Sequence, residues 1–189
     1  MSGTGFTFFE TAIGRCGIAW GERGVRAVLF PERNEAAARA RLLRKFPAAS
    51  EGEPPPVVEQ AIAAVVALLA GERRDLSEIR LDLDDVPAFH RRVYEIARSI
   101  GAGATLTYGE IAARLGEPGL ARDVGQALGE NPFPIVVPCH RVLAAGGKLG
   151  GFSARGGVAT KLRLLEIEGA LAPATPMLFE VLPRAVRRA

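Results

Sequence analysis

The chain is predicted to be an α+β protein: a small N-terminal sheet with helices, followed by a mostly helical C-terminal part. Three observations carry this. Short runs rich in β-branched and aromatic residues, punctuated by glycine, fill residues 6–30. Apolar residues then recur at i, i+4, i+7 and i+11 through Val58, Ile62, Val65 and Leu69, one face of a helix. After Pro87 the chain alternates helical periodicity with Gly-containing turns. At 189 residues and 48% hydrophobic it has enough apolar material for a real core.

In chain order, Phe6–Glu10, Gly17–Trp20 and Val25–Phe30 read as strands, the last stopped by Pro31. Residues 35–46 read as a helix, and the proline-rich stretch 51–56 as a connector to the Val58–Leu69 helix. Ile79, Leu81 and Leu83 alternate with Arg80, Asp82 and Asp84, which predicts a half-buried strand. Residues 84–87 form a boundary between a first unit, 1–86, and a second, 87–170. In the second unit Phe89, Val93, Ile96 and Ile100 mark one helical face. Thr107 and Glu110 make a capping box that opens a helix from Tyr108 to Leu115. A turn at 116–119 leads to a helix over 120–128. A last helix, Lys161–Glu168, is closed by Gly169 at C′. Residues 171–189 read as a basic, proline-punctuated tail.

Composition excludes several classes. The longest apolar run, Ala61–Ala70, is too short to cross a bilayer, and residues 1–5 carry neither a basic region nor a cleavable apolar segment. A cytoplasmic protein with no membrane partner is expected. Two cysteines and two histidines make neither a disulfide framework nor a zinc set, so no metal is expected. Net charge is +3, divided as −2 over residues 1–85 and +5 over 86–189. A basic half of that size fits a polyanion partner and fits a solvated surface equally well.

The stretch Pro138-Cys139-His140-Arg141 is the strongest chemical signal. A thiol beside an imidazole is a candidate nucleophile with its base, because the thiolate attacks. A lone cysteine is also a common core residue. On a strand, neighbours point to opposite faces, so only an irregular backbone or a third group would couple Cys139 to His140. Prolines at 132, 134 and 138 favour such a backbone. Upstream, the helices 108–115 and 120–128 form either a helix-turn-helix or a plain helical hairpin. Arg122 near the start of the second helix, with small residues Ala121 and Gly125 beside it, suits a recognition helix. Small residues serve helix packing as well. The Gly-rich loop 146–153 lacks a Walker ending, so no nucleoside triphosphate site is read there.

Taken together, the blocks Thr105–Ala112, Ala121–Gly125, Asn131-Pro132, Ile135–Val142 and Lys161–Gly169 resemble the O6-alkylguanine-DNA alkyltransferases. The resemblance covers most of residues 5–170. It implies a ribonuclease H-like N-terminal domain and a winged-helix-like DNA-binding domain. It implies a monomer acting on double-stranded DNA that contains O6-alkylguanine, with no cofactor, and one irreversible transfer of the alkyl group to Cys139 after base flipping. By the same resemblance His140 is the base through a water, Glu168 orients it, and Tyr108 positions DNA and supplies a proton. Arg122, Ala121 and Gly125 meet the duplex; Val142, Ser153, Phe152 and Asn131 surround the guanine pocket. Arg141 anchors the two domains. The alternatives are a recognition module without catalysis, a helix-turn-helix regulator, or a cysteine hydrolase. Tyr94 and Phe152 stand where many members have Trp and Tyr, Ala154-Arg155 lengthens the loop after Ser153, and Cys16 lacks partners for a zinc site.

Overall fold

The computed structural model describes residues 3–171. The predicted tail, 171–189, lies almost wholly outside them. Three antiparallel strands, β1 (Gly5–Phe9), β2 (Cys16–Gly21) and β3 (Gly24–Leu29), form the sheet expected from the opening pattern. A two-residue strand, β4 (Ser50–Glu51), joins parallel to β1 at the start of the stretch read as connector, and the order is β3-β2-β1-β4.

Alternation along the strands divides the side chains between two faces. Phe6, Ala19, Ala27 and Leu29 pack under Leu42 of helix α1 (Glu35–Lys45), which Asn34 caps through a hydrogen bond from the Ala37 amide. Ile18, Val25 and Val28 face the other way, onto helix α2 (Pro56–Leu69) through Val58, Val65 and Leu69. That second cluster continues into the C-terminal half through Val93 and Tyr94 of α3 (Ala88–Arg98), Ile111 of α4 (Tyr108–Arg114), Val124 of α5 (Ala121–Gly129) and Leu164 of α6 (Val158–Ile167). Sheet and helical part thus share one buried cluster. Two hydrogen bonds reinforce it: the backbone bond from Val28 N–H to Pro132 O at 2.9 Å, and a side-chain bond from the Arg163 guanidinium to Ala12 O at 2.7 Å.

Two sequence expectations are corrected. Residues 79–84 form no strand, only a single parallel bridge between Leu81 and Val25 of β3. The carbonyls of Leu76, Ser77 and Ile79 turn instead to the Arg98 guanidinium, and further along β3 the Val28 N–H is taken by Pro132. The bridge is tight: Gly24 has φ +134°, and a Cβ there would collide with Arg80 O. The last helix begins at Val158 rather than Lys161; it ends at Ile167, with Glu168 at the C-cap and Gly169 in the left-handed region at φ +70°.

The capping box at Thr107 is present in full. Its hydroxyl accepts from the Glu110 amide at 3.2 Å, and the Glu110 carboxylate accepts from the Thr107 amide at 2.6 Å. A 3-10 turn, Pro118–Leu120, then joins α4 to α5 as a helix-turn-helix.

Candidate active site

Cys139 does not lie on a strand. It opens a 3-10 turn, Cys139–Arg141, held by Cys139 N–H to Val137 O at 2.8 Å and Arg141 N–H to Pro138 O at 2.9 Å. The irregular backbone needed to couple thiol and imidazole is therefore present. The turn before it is tight. Val137 N–H reaches Phe133 O at 2.7 Å, and Ile135, a buried β-branched residue, is forced to φ +75°. Such a backbone is strained and persists only where surroundings over-determine it. Asn131 supplies that determination: its Nδ2 donates to Val137 O and its Oδ1 accepts from the Phe133 amide, both at 2.9 Å. Its side chain also lies close enough to the Cys139 thiol to favour the thiolate.

Beneath the turn lies a buried chain of charge. His140, fully buried, places Nε2 2.9 Å from Glu168 Oε1. Arg141 grips the same carboxylate with two bonds, Nε to Oε2 at 2.7 Å and Nη2 to Oε1 at 2.8 Å, and its third donor reaches the Ile100 carbonyl. These partners all lie within residues 87–170, so Arg141 ties α6 and α3 to the Cys139 turn rather than joining two domains. Burial opposes ionisation of Glu168, but the hydrogen bonds from His140 and Arg141 outweigh it and hold the carboxyl at about 2. Burial pushes the His140 imidazole below its ordinary value, against the pull of Glu168, so it is neutral near pH 7. With Nε2–H donating to Glu168, the lone pair is on Nδ1, which has no protein partner among the described residues. Burial likewise pushes the Cys139 thiol up, moderated by Asn131 and Lys161.

Above the turn is an open cleft of about 560 Å³ in which the expected residues converge: Tyr108, Arg122, Gly125, Cys139, Phe152 and Ser153. Ala121 lines it too. Tyr108 is the first residue of α4, Arg122 the second of α5, and a methyl at Gly125 would lie 3.9 Å from the Tyr108 ring. Arg122 is exposed and Cys139 is partly open to solvent. Ser153 donates to Gly129 O at 3.2 Å. A second cavity, about 210 Å³, also meets Cys139 and is lined by Asn131, Phe152 and Phe30. Val142 is the exception. It is fully buried on β6 (Val142–Leu143), paired in parallel with β5 (Leu106–Thr107), its carbonyl accepts from Lys161 and its amide bonds Cys139 O, so it lines neither cavity.

Lys161 is the functional residue that the pattern did not single out. It is completely buried and its Nζ donates to Val142 O and Leu149 O, both at 2.6 Å, 5.9 Å from the Tyr108 ring centroid. It pins the Gly-rich loop to β6 and puts a cation near Cys139. The signal was there: Lys161 sits three and four residues before Leu164 and Leu165, on the buried face of α6. Among the described residues no three His, Cys, Asp or Glu side chains converge as a metal would require.

Residues 88–170 match the family described as 6-O-methylguanine DNA methyltransferase, DNA binding domain. A methylated-DNA–protein-cysteine methyltransferase of Methanothermobacter thermautotrophicus is 37% identical over 153 residues, 81% of this chain and 78% of that one. The chain belongs to the methylated-DNA–protein-cysteine methyltransferase family. A relative of the same name from Mycobacterium bovis is 45% identical over 120 residues, covering 64% of this chain and 70% of its own. The solved structure of Mycobacterium tuberculosis OGT in complex with DNA superposes with a TM-score of 0.71 at 34% identity, over 90% of this chain and 96% of that one. The O6-methylguanine-DNA methyltransferase of Pyrococcus kodakaraensis gives 0.65 at 28% identity, over 88% and 99%. The two-part architecture, a sheet-bearing N-terminal part and a helical C-terminal part, is the one read from the sequence.

Proposed function

We propose that this protein repairs DNA by taking the alkyl group from O6 of guanine onto Cys139, once per molecule. The observation that carries the reading is the position of Cys139. Its thiol opens into the cleft that Tyr108 and Arg122 share, and directly behind it lies the buried His140–Glu168–Arg141 chain.

A guanine substituent inside a duplex is out of reach of any side chain, so the base must leave the stack, at a cost of a few kcal/mol. The helix-turn-helix offers the means: exposed Arg122 at the start of α5 fills the vacated place, and Ala121 and Gly125 let the helix approach closely. The flipped base lies between Tyr108 and the Phe152-Ser153 loop. The thiol proton passes to Nδ1 of neutral His140 through a water, and Glu168 stabilises the imidazolium. The S–C bond forms as the C–O6 bond breaks, its electron pair goes to guanine, and Tyr108 supplies the proton that guanine takes up. The alkyl donor is the DNA, so no cofactor enters. The thioether has no route back.

The same reading takes the acting species to be a cytoplasmic monomer, with residues 87–170 as the reactive unit. Intact mass before and after exposure to O6-methylguanine duplex tests it. One methyl per chain is expected, absent in Cys139→Ala. Transfer persisting in that variant, or binding with no adduct in the parent protein, overturns it. Arg122→Ala is expected to slow transfer from duplex far more than from free O6-alkylguanine.

A further inference from the structure

A second basic feature lies on the N-terminal half, outside the helix-turn-helix. Arg33, Arg41 and Arg44, at and before α1, meet Arg155 around an open concavity of about 410 Å³. Glu32 is the carboxylate lining it, and Arg41 takes that at 2.6 Å. Among the described residues Arg33, Arg44 and Arg155 have no ion pair, and all three are exposed. Three guanidinium groups around one hollow repel each other, so the arrangement is at its best when an anion is shared between them.

Two links join this hollow to the reactive cleft. Arg155 belongs to the loop that carries Phe152 and Ser153, and Phe152 packs edge-on against Phe30 of the N-terminal half at 5.7 Å. Arg41 lines both the hollow and the cavity that reaches Cys139. Arg41 and Lys45 thus put basic side chains in the cavity that lies between the thiol and the hollow. We propose that the hollow bounded by Arg33, Arg44 and Arg155 is a phosphate seat for the DNA backbone, gripping the strand where it leaves the reactive cleft toward α1. This rests on the repair reading above for its ligand. It adds that the N-terminal half holds DNA, and it gives the Ala154-Arg155 extension a task.

Seating a phosphate releases a counterion, which steepens the fall of affinity with salt by about 0.9 log units per log unit of salt for each phosphate neutralised. The test is duplex affinity, by fluorescence anisotropy, across a salt series for the full chain and for Arg33→Gln/Arg44→Gln/Arg155→Gln. The control Arg73→Gln/Arg74→Gln/Arg80→Gln removes the same charge elsewhere. The slope is expected to shrink by about one unit or more, with affinity at low salt about tenfold weaker, while the control keeps the parent slope and transfer from free O6-alkylguanine is unchanged in both. An unchanged slope, or an equal loss in the control, overturns the proposal. An unchanged slope with lost cooperativity along the duplex also overturns it and assigns the hollow to a second copy of the chain. Binding is read without transfer, so a parent protein that binds DNA but gains no methyl fails the repair reading alone.

Discussion

Glu168 has two partners competing for one oxygen: His140 Nε2 and Arg141 Nη2 both reach Oε1. Removing its charge leaves Arg141 buried and unpaired, a loss of about 3–5 kcal/mol for a broken buried pair. Glu168→Gln is therefore expected to lower the unfolding free energy measured in urea by that amount and to slow alkyl transfer by about tenfold or more, since the imidazolium loses its stabilising charge. His140→Ala slows transfer with DNA affinity near the parent value; stopped-time mass spectra and anisotropy separate the two. The pH dependence follows from the direction of the shifts. The Glu168 carboxyl is at about 2 in the folded chain against an ordinary 4.5, so the unfolded chain binds this proton first as pH falls. Its contribution, on the order of 3 kcal/mol, is complete above pH 4.5 and drains away toward pH 2. His140 is shifted the same way from 6.5, so its share begins to fade below that pH. Urea midpoints are expected to be level near pH 7–8, to slope down below pH 6.5, and to drop faster below 4.5. In Glu168→Gln the lower limb flattens.

At the scale of elements, the site depends on where short helices start. Thr107 fixes the first turn of α4 and thereby the place of Tyr108. Thr107→Ala removes the hydroxyl half of the capping box, leaving the Glu110 carboxylate on the residue-107 amide, and is expected to cost about 1 kcal/mol in unfolding experiments, with slower transfer from duplex as Tyr108 loses part of its anchor. The turn 131–137 is the other determinant. Ile135→Ala keeps the strained φ while emptying a core position, so a loss of about 2–5 kcal/mol is expected by thermal or urea unfolding. These elements differ in how readable they were. The capping box is a local pattern, complete within four residues, and it was legible. The positive φ at Ile135 was not, because no β-branched residue advertises a left-handed backbone; it follows from Asn131 and Phe133 bonding across the turn. Residues 79–83 carried a true alternation yet formed no strand: the Ile79 carbonyl goes to Arg98, nineteen residues on, and β3 bridges the segment at Leu81 alone. Val142 was expected beside the pocket through its backbone, and a family block does not convey that its side chain is buried on β6.

For the whole molecule, the shared core decides how it unfolds. Ile18 and Val28 of the sheet belong to the same buried cluster as Val93, Ile111 and Leu164, and Val28 bonds Pro132 at the foot of the Cys139 turn. A fragment comprising residues 87–171 would expose that seam. It is expected to show helical circular dichroism without a cooperative melt, whereas the full chain melts in one transition. The N-terminal sheet was readable from its glycine-bounded strands, but that it shares a core with the helix-turn-helix was not, because contacts over a hundred residues of chain leave no local period.

The contrast between the two cysteines has a practical consequence. Cys16 is sealed in the core, and burial pushes its thiol up to about 11, while Cys139 is partly open to solvent. In the native protein a thiol-selective dye should therefore count one group, and in urea two. After a full dose of lesion the counts should fall to none and one. The fold itself thus turns the number of titratable thiols into a tally of lesions removed, legible in a cuvette without isotopes.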